Sequence, residues 1–203
     1  MKHPVFLIVV LLYFGNMQAQ TVFEFQPLRI LDTINQKTID KIKLKDSIKN
    51  TQCFFSEIYD ANKGLFLFKK IGGKWIVYDY NDFVSNYTIS KHTTYSKRYV
   101  SISVGAMRSG MGENYYGWMI LFDLDKASYI VLNVFSHNSG EYSDKTEFQQ
   151  ECTSKIQYIK NNTFSVTKTC DVKKEDENYC TNCLDSGVYK IENDTLIKIQ
   201  PNP

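Results

Sequence analysis

His137 is the residue of this chain best suited to proton transfer. Histidines stand only at positions 3, 92 and 137, and an imidazole changes charge close to neutral pH, as a general base requires. His137 lies in Ser136-His137-Asn138-Ser139-Gly140-Glu141, with Asp144 close behind. Serine, histidine and carboxylate are the ingredients of a hydrolase. Ser139 or a distant serine would be the nucleophile, and Asp144 or Glu141 the orienter. A triad is defined by geometry and not by nearness in sequence, and no G-x-S-x-G elbow is present. The plainer reading is a polar turn that closes the strand ending at Phe135. His92, in the polar run Ser90 to Thr94, reads as a surface residue.

The segment Gly105 to Trp118 has the least ordinary composition. It holds four of the chain's ten glycines, two methionines, Arg108, Glu113, Tyr115, Tyr116 and Trp118. Gly110-x-Gly112 is no phosphate loop, because no helix-opening pattern follows it. Long loops in compact domains are often functional, and Tyr, Trp and Arg anchor partners. Arg108, Glu113, Tyr115, Tyr116 and Trp118 are therefore the candidate contact residues, for a protein or a glycan. The alternative is a hairpin loop whose aromatics simply begin the next strand.

Cysteines stand at 53, 152, 170, 180 and 183. Lys160-Asn161-Asn162 is a turn signal between two alternating runs. A three-residue loop there sets Tyr158 opposite Phe164 and Ile156 opposite Val166. Carried outward, the register opposes Cys152 and Cys170, within disulfide range, so this pair is expected to be bridged. Cys180-Thr181-Asn182-Cys183 is a C-x-x-C. A redox dithiol wants a helix start in a thioredoxin-like pattern, and a structural zinc wants two such pairs. Neither is present. A local Cys180–Cys183 bridge, or a bond from one of them to Cys53, is the simpler expectation. Asp123-Leu124-Asp125-Lys126 lacks the oxygens and the glycine of a calcium loop and reads as a β-turn. No metal and no cofactor is expected. The sequons at Asn86, Asn161 and Asn193 match a common pattern and carry no functional reading.

The elements that would position these residues are strands. Leu65–Ile71 and Lys74–Tyr80 flank Gly72-Gly73, a hairpin signal. That register sets Leu67 opposite Tyr78 and Phe68 opposite Val77, with apolar residues on both faces, so the hairpin is expected to be covered twice. Val100, Ile102 and Val104 alternate inward, with Ser101 and Ser103 outward. Trp118–Phe122 and Tyr129–Phe135 join through the Asp123 turn. Residues 47–60 are ambiguous between a helix capped by Ser47 and a strand from Cys53 to Tyr59, and the strand is preferred. The lysines of 37–49, interrupted by Asp40 and Asp46, read as a solvated face.

The stretch Arg98 to Phe135 loosely resembles one β-propeller blade: strand, glycine segment, strand, turn, strand. A blade takes about 40–50 residues, so this length would allow four at most, and no internal repeat is visible. The expected fold is all-β, a single domain of meandering antiparallel hairpins in a sandwich or curved barrel. Its alternatives are a small propeller-like fold, or α+β with a helix near 47–60.

Residues 1–19 read as a signal peptide: basic Lys2 and His3, an apolar run from Val5 to Phe14, and a small, polar exit at Ala19. That run is too short for a spanning helix, and no cysteine follows the cut for a lipid anchor. Residues 20–203 then form the exported domain, secreted or periplasmic, with no membrane anchor. Loss of the first 19 of 203 residues leaves 184, and loss of Lys2 lowers the net charge from +2 to +1. A near-neutral chain has no strong pull toward nucleic acid. The expected function is a non-enzymatic binding or interaction protein. The rival is the hydrolase built on His137.

Overall fold

A computed structural model describes residues 22–43, 45–80, 90–109, 112–141, 147–173 and 181–201. The expected signal peptide, Cys180, Asp144 and the sequon at Asn86 lie outside them. The described residues form fifteen strands and one short helix, an all-β architecture of antiparallel hairpins. The strands are β1 (Val22–Glu24), β2 (Gln26–Pro27), β3 (Arg29–Ile34), β4 (Asp46–Ser47), β5 (Cys53–Tyr59), β6 (Asn62–Ile71), β7 (Lys74–Tyr80) and β8 (Ser90–Thr94). They continue with β9 (Tyr99–Ser109), β10 (Gly112–Asp123), β11 (Ser128–Glu141), β12 (Glu147–Lys160), β13 (Thr163–Lys173), β14 (Gly187–Glu192) and β15 (Thr195–Pro201). The helix α1 spans Gln36–Asp40.

Two sheets result. The smaller runs β3-β7-β6-β5-β4, and the larger runs β1-β15-β14-β13-β12-β11-β10-β9-β8, with β2 added against β11. The larger sheet does not divide into propeller blades. One apolar cluster joins the sheets: Phe55, Leu65, Leu67 and Tyr78 from the smaller, Val100, Ile102, Ile120 and Phe122 from the larger. A second cluster joins Met119, Leu121 and Leu132 to Phe164, Tyr189, Ile191 and Leu196. Those residues belong to strands well apart in one sheet, so the sheet bends back over its own face without closing into a barrel. β9 and β10 are thus apolar on both faces, as a layer covered on both sides must be.

The hairpin β6–β7 has the expected register, with Leu67 opposite Tyr78 and Phe68 opposite Val77. It is covered twice. Leu67 faces the inter-sheet core, and Phe68 faces a third cluster with Phe54, Phe66, Val77 and Ile39 of α1. Cys53–Tyr59 is a strand, as preferred, and the helix lies earlier in the chain. Asn35 caps it by accepting from the Thr38 amide at 3.0 Å, and Ile39, on its inner side, is buried. The lysine-rich stretch therefore begins on a structured element and is not wholly a solvated face. Val100, Ile102 and Val104 are buried as expected. Ser101 is not outward: it is 3 % exposed, because the second cluster covers its side of the sheet, and its hydroxyl donates to the Tyr95 hydroxyl at 3.1 Å.

Four hairpin turns have two consecutive residues at positive φ: Asp60-Ala61, Gly72-Gly73, Asn161-Asn162 and Asn193-Asp194. This is the tight turn whose twist matches the strands it joins. The third corrects the loop expected at 160–162. Lys160 pairs with Thr163 across a two-residue turn, and the register slips between Tyr158 and Lys160. Ile159 is the bulged residue that restores Tyr158 opposite Phe164 and Cys152 opposite Cys170. Asp123 organises the turn expected at 123–126. Its carboxylate accepts from the amides of Asp125 and Lys126 at 3.0 and 3.3 Å and from Arg98 Nε at 2.9 Å.

Candidate functional site

The segment Gly105 to Trp118 is paired strand wherever it is described. Gly105 pairs with Gly117, Met107 with Tyr115 and Arg108 with Asn114. Gly110 and Met111 lie outside the described residues. The candidate residues do not share one surface, because strand residues alternate between faces. Glu113 and Tyr115 occupy one face of β10, and Tyr116 and Trp118 the other. The register places Arg108 at a position of the Tyr116 face.

A bulge decides which neighbours these residues meet. From the 123–128 turn, β10 and β11 pair regularly to Trp118 opposite Asn133, after which Gly117 pairs with Phe135. Val134 is the extra residue. Without it Tyr115 would face Ser136; with it Tyr115 faces His137. Gly117 is required there, since a Cβ at this position would stand 2.9 Å from the Phe135 Cβ.

On the Tyr115 face, His137 Nδ1 lies 3.2 Å from Glu151 Oε2. The Tyr115 ring meets the imidazole edge-on, with centroids 5.7 Å apart. The Tyr115 hydroxyl donates to Glu113 Oε2 at 3.3 Å. Desolvation and then the Glu113 charge push this phenol up, so Tyr115 stays a neutral donor and is no base. The carboxylate beside His137 is therefore Glu151, from the neighbouring strand. Glu141 and Ser139 continue the strand, four and two residues beyond His137. Among the described residues no serine hydroxyl is hydrogen-bonded to the His137 ring. His92 is not a plain surface residue: its Nδ1 lies 2.6 Å from Asp46 Oδ2, and its ring approaches Phe55.

On the opposite face, Tyr116 and Trp118 stack, with centroids 6.1 Å apart and planes inclined by 24°. Tyr116 is 36 % exposed and Trp118 is half-buried. Along the same row Tyr116 pairs with Ser136, Ser136 with Cys152 and Cys152 with Cys170. The expected Cys152–Cys170 bridge is not what forms. Cys152 is bonded to Cys183, with Cα atoms 6.1 Å apart, which also excludes a local Cys180–Cys183 bridge. The opposed register is present, but a crossing segment brings a third thiol onto Cys152. Leu184 N donates to Asn133 O at 2.9 Å, Ser154 Oγ donates to Leu184 O at 2.6 Å, and Lys168 N donates to Ser186 Oγ at 2.8 Å. Residues 183–186 are thus strapped across the sheet. Cys170 is exposed and is itself disulfide-bonded.

Among the described residues Cys53 is the free thiol. It lines a small cavity of about 190 Å³ with Thr51, Lys69, Lys97 and Asp125. Burial pushes its pKa up, against smaller opposing effects of Thr51 and Lys69. Since the thiolate is the reactive form, Cys53 is chemically quiet. Among the described residues no cluster of side chains suits a metal ion.

A larger groove lies on the far side of the smaller sheet. It has a volume of about 830 Å³ and is lined by residues that include Ile34, Ile42, Ile58, Tyr59, Lys41 and Lys43. Sequence reasoning missed it, because its walls come from three separated segments and depend on α1. None of the contact residues expected from sequence lies in it.

No family model matches the chain, and no curated protein or solved structure is significantly similar to it. Fold and site define an antiparallel all-β protein that carries a disulfide-strapped sheet and a stacked Tyr116–Trp118 pair. Among the described residues no helix is long and apolar enough to cross a membrane.

Proposed function

We propose that this chain is exported and acts as a non-enzymatic binding protein, using the Tyr116–Trp118 face of β10 as its contact surface. The observation that carries the reading is the stacked pair itself. Its rings lie side by side, Tyr116 exposed and Trp118 half-buried, and aromatic area held on rigid strands is offered at little entropic cost. A glycan ring or a planar protein side chain is the matching chemistry. Export rests on residues 1–19 and agrees with a buried disulfide, which persists in oxidising compartments. Nucleic acid is a poor partner for a chain of net charge +2. The test is retention of partners from envelope extract or culture fluid, together with a glycan microarray, by the mature protein and by its Tyr116→Ala and Trp118→Ala variants. A partner retained by the wild type and lost by both variants is expected. Equal retention by all three sinks the assignment of this face.

The rival reading, a hydrolase using His137, has one favourable observation in the His137–Glu151 contact. It needs a nucleophile beside the imidazole, in a concave site, and His137 lines neither of the two cavities described above. Labelling of the mature protein by a fluorophosphonate probe, abolished by His137→Ala, would establish it against the binding reading.

A further inference from the structure

We propose that the Tyr116–Trp118 face of β10 takes a neutral glycan, and that Asn114, Asn138 and Gln150 hold its hydroxyl groups. The proposal rests on the binding reading given above and names the ligand class for that face. The three residues form one row across the sheet. Asn114 pairs with Asn138 and Asn138 with Gln150, and Arg108 holds the β9 position of the row. Strand side chains alternate between faces. The row therefore shares the face of Tyr116, and it lies two residues, about 6.8 Å, along the strands from it.

Carboxamides this close are expected to bond one another or the surrounding chain. Among the described residues none of the three makes a side-chain hydrogen bond. Gln150 carries the argument furthest, because it is only 5 % exposed. A buried amide without a partner costs stability, and a ligand that supplies the missing bonds removes that cost. A carboxamide both donates and accepts, as a hydroxyl does, and these three carry no charge, so hydroxyls suit them better than acidic groups. They stand on successive strands about 4.8 Å apart, a spacing that serves a chain of sugar rings. In the next row Gly112 pairs with Gly140 and Gly140 with Phe148. The glycines place no side chain beside the amides, and Phe148 is half-buried. Aromatic residues thus stand on both sides of the amide row, as the apolar C–H faces of sugars require. A peptide fits less well: Asn114, Asn138 and Gln150 each pair with a strand on either side, which leaves no strand edge for an added strand.

The experiment is an array of neutral and acidic oligosaccharides probed with the mature protein, then calorimetric titration of the tightest neutral glycan. The variants are Asn114→Ala, Asn138→Ala and Gln150→Leu, beside Tyr116→Ala and Trp118→Ala. Saturable binding of a neutral glycan is expected, with affinity at least about tenfold lower in each amide variant. Gln150→Leu should melt no lower than wild type, since it removes an unpartnered amide; a markedly lower melting point would show that the amide serves the fold, and would overturn its assignment to a ligand. Binding lost in Tyr116→Ala and Trp118→Ala but unchanged in the folded amide variants would overturn this proposal and leave the contact face standing. Retention of only an acidic glycan or a protein through the aromatic pair would do the same. Neutral-glycan binding that no variant alters would overturn both readings, and absence of any neutral-glycan binding would overturn this one.

Discussion

Replacing Cys152 and Cys183 together by alanine should destabilise the fold without removing any strand. The two residues are separated by 31 positions. In the chain-entropy model a closed loop of that length restricts the unfolded chain by about 3.7 kcal/mol. A chain of this size shifts its melting point by about 2–4 °C per kcal/mol, so the double variant should melt about 7–15 °C lower, by calorimetry under non-reducing conditions. The Cys152–Cys170 alternative closes a shorter loop and would be worth about 3.2 kcal/mol, too close for melting alone to separate. Peptide mapping without reduction separates them. The structure requires a peptide joining Cys152 to Cys183. Recovery of Cys152 joined to Cys170 would refute the strap at 183–186. A double variant that melts within about 2 °C of wild type would refute the entropic account of it.

Two further outcomes follow from particular contacts. Gly117→Ala places a Cβ 2.9 Å from that of Phe135, two atoms fixed to backbone. The bulge must shift, at a cost of about 1–3 kcal/mol, visible in urea unfolding; stability within about 0.5 kcal/mol of wild type would contradict the required close approach. Tyr99 and Tyr189 are both pushed up to about 12, chiefly by burial. A phenol whose folded pKa lies above its unfolded value keeps its stability contribution below pH about 10 and loses it as pH rises through the folded value. Urea midpoints should therefore fall between pH 10 and pH 12. Tyr99→Phe should flatten that fall and, since the buried Tyr99 hydroxyl has no hydrogen-bond partner among the described residues, should not cost stability at neutral pH. An unchanged alkaline profile in Tyr99→Phe would show that its burial is not what sets the profile.

Much of the strand order was legible because alternation is a local signal. The Leu67–Tyr78 and Tyr158–Phe164 registers needed only a turn and two apolar faces. What escaped was non-local. α1 rests on an Asn35 cap and on Ile39 finding the outer aromatic face, so a weak helical signal was decided by packing. Ser101 looked like a solvent-facing residue because nothing in its own strand announces that the sheet bends back to cover it. The turn at Asn161-Asn162 shows both sides. The register was readable, yet it is reached through a two-residue turn and a bulge at Ile159, two departures from the expected loop that cancel.

The same logic governs the candidate site. Composition marked Glu113, Tyr115, Tyr116 and Trp118 as a group, but composition has no face. Once β10 is a strand, alternation splits them, and the Val134 bulge then assigns each half its neighbours. Tyr115 is hydrogen-bonded to Glu113 and His137 to Glu151, and the Tyr115 and His137 rings meet edge-on between the two pairs. That group has the carboxylate and imidazole of a hydrolase, and among the described residues no serine hydroxyl is bonded to the imidazole. Tyr116 and Trp118 are left on the other side as a stacked pair, and Tyr116 begins the row that leads through Ser136 to the Cys152–Cys183 bridge. The bridge fixes Cys183 to β12, in the row of paired residues that reaches Tyr116. On the binding reading proposed above, strand backbone preorganises this face, and preorganised aromatic area retains more of its interaction energy on binding than a loop of the same composition would. Two of the glycines that marked the expected long loop stand within paired strands: Gly117 lets β10 and β11 approach at the bulge, and Gly105 pairs opposite it.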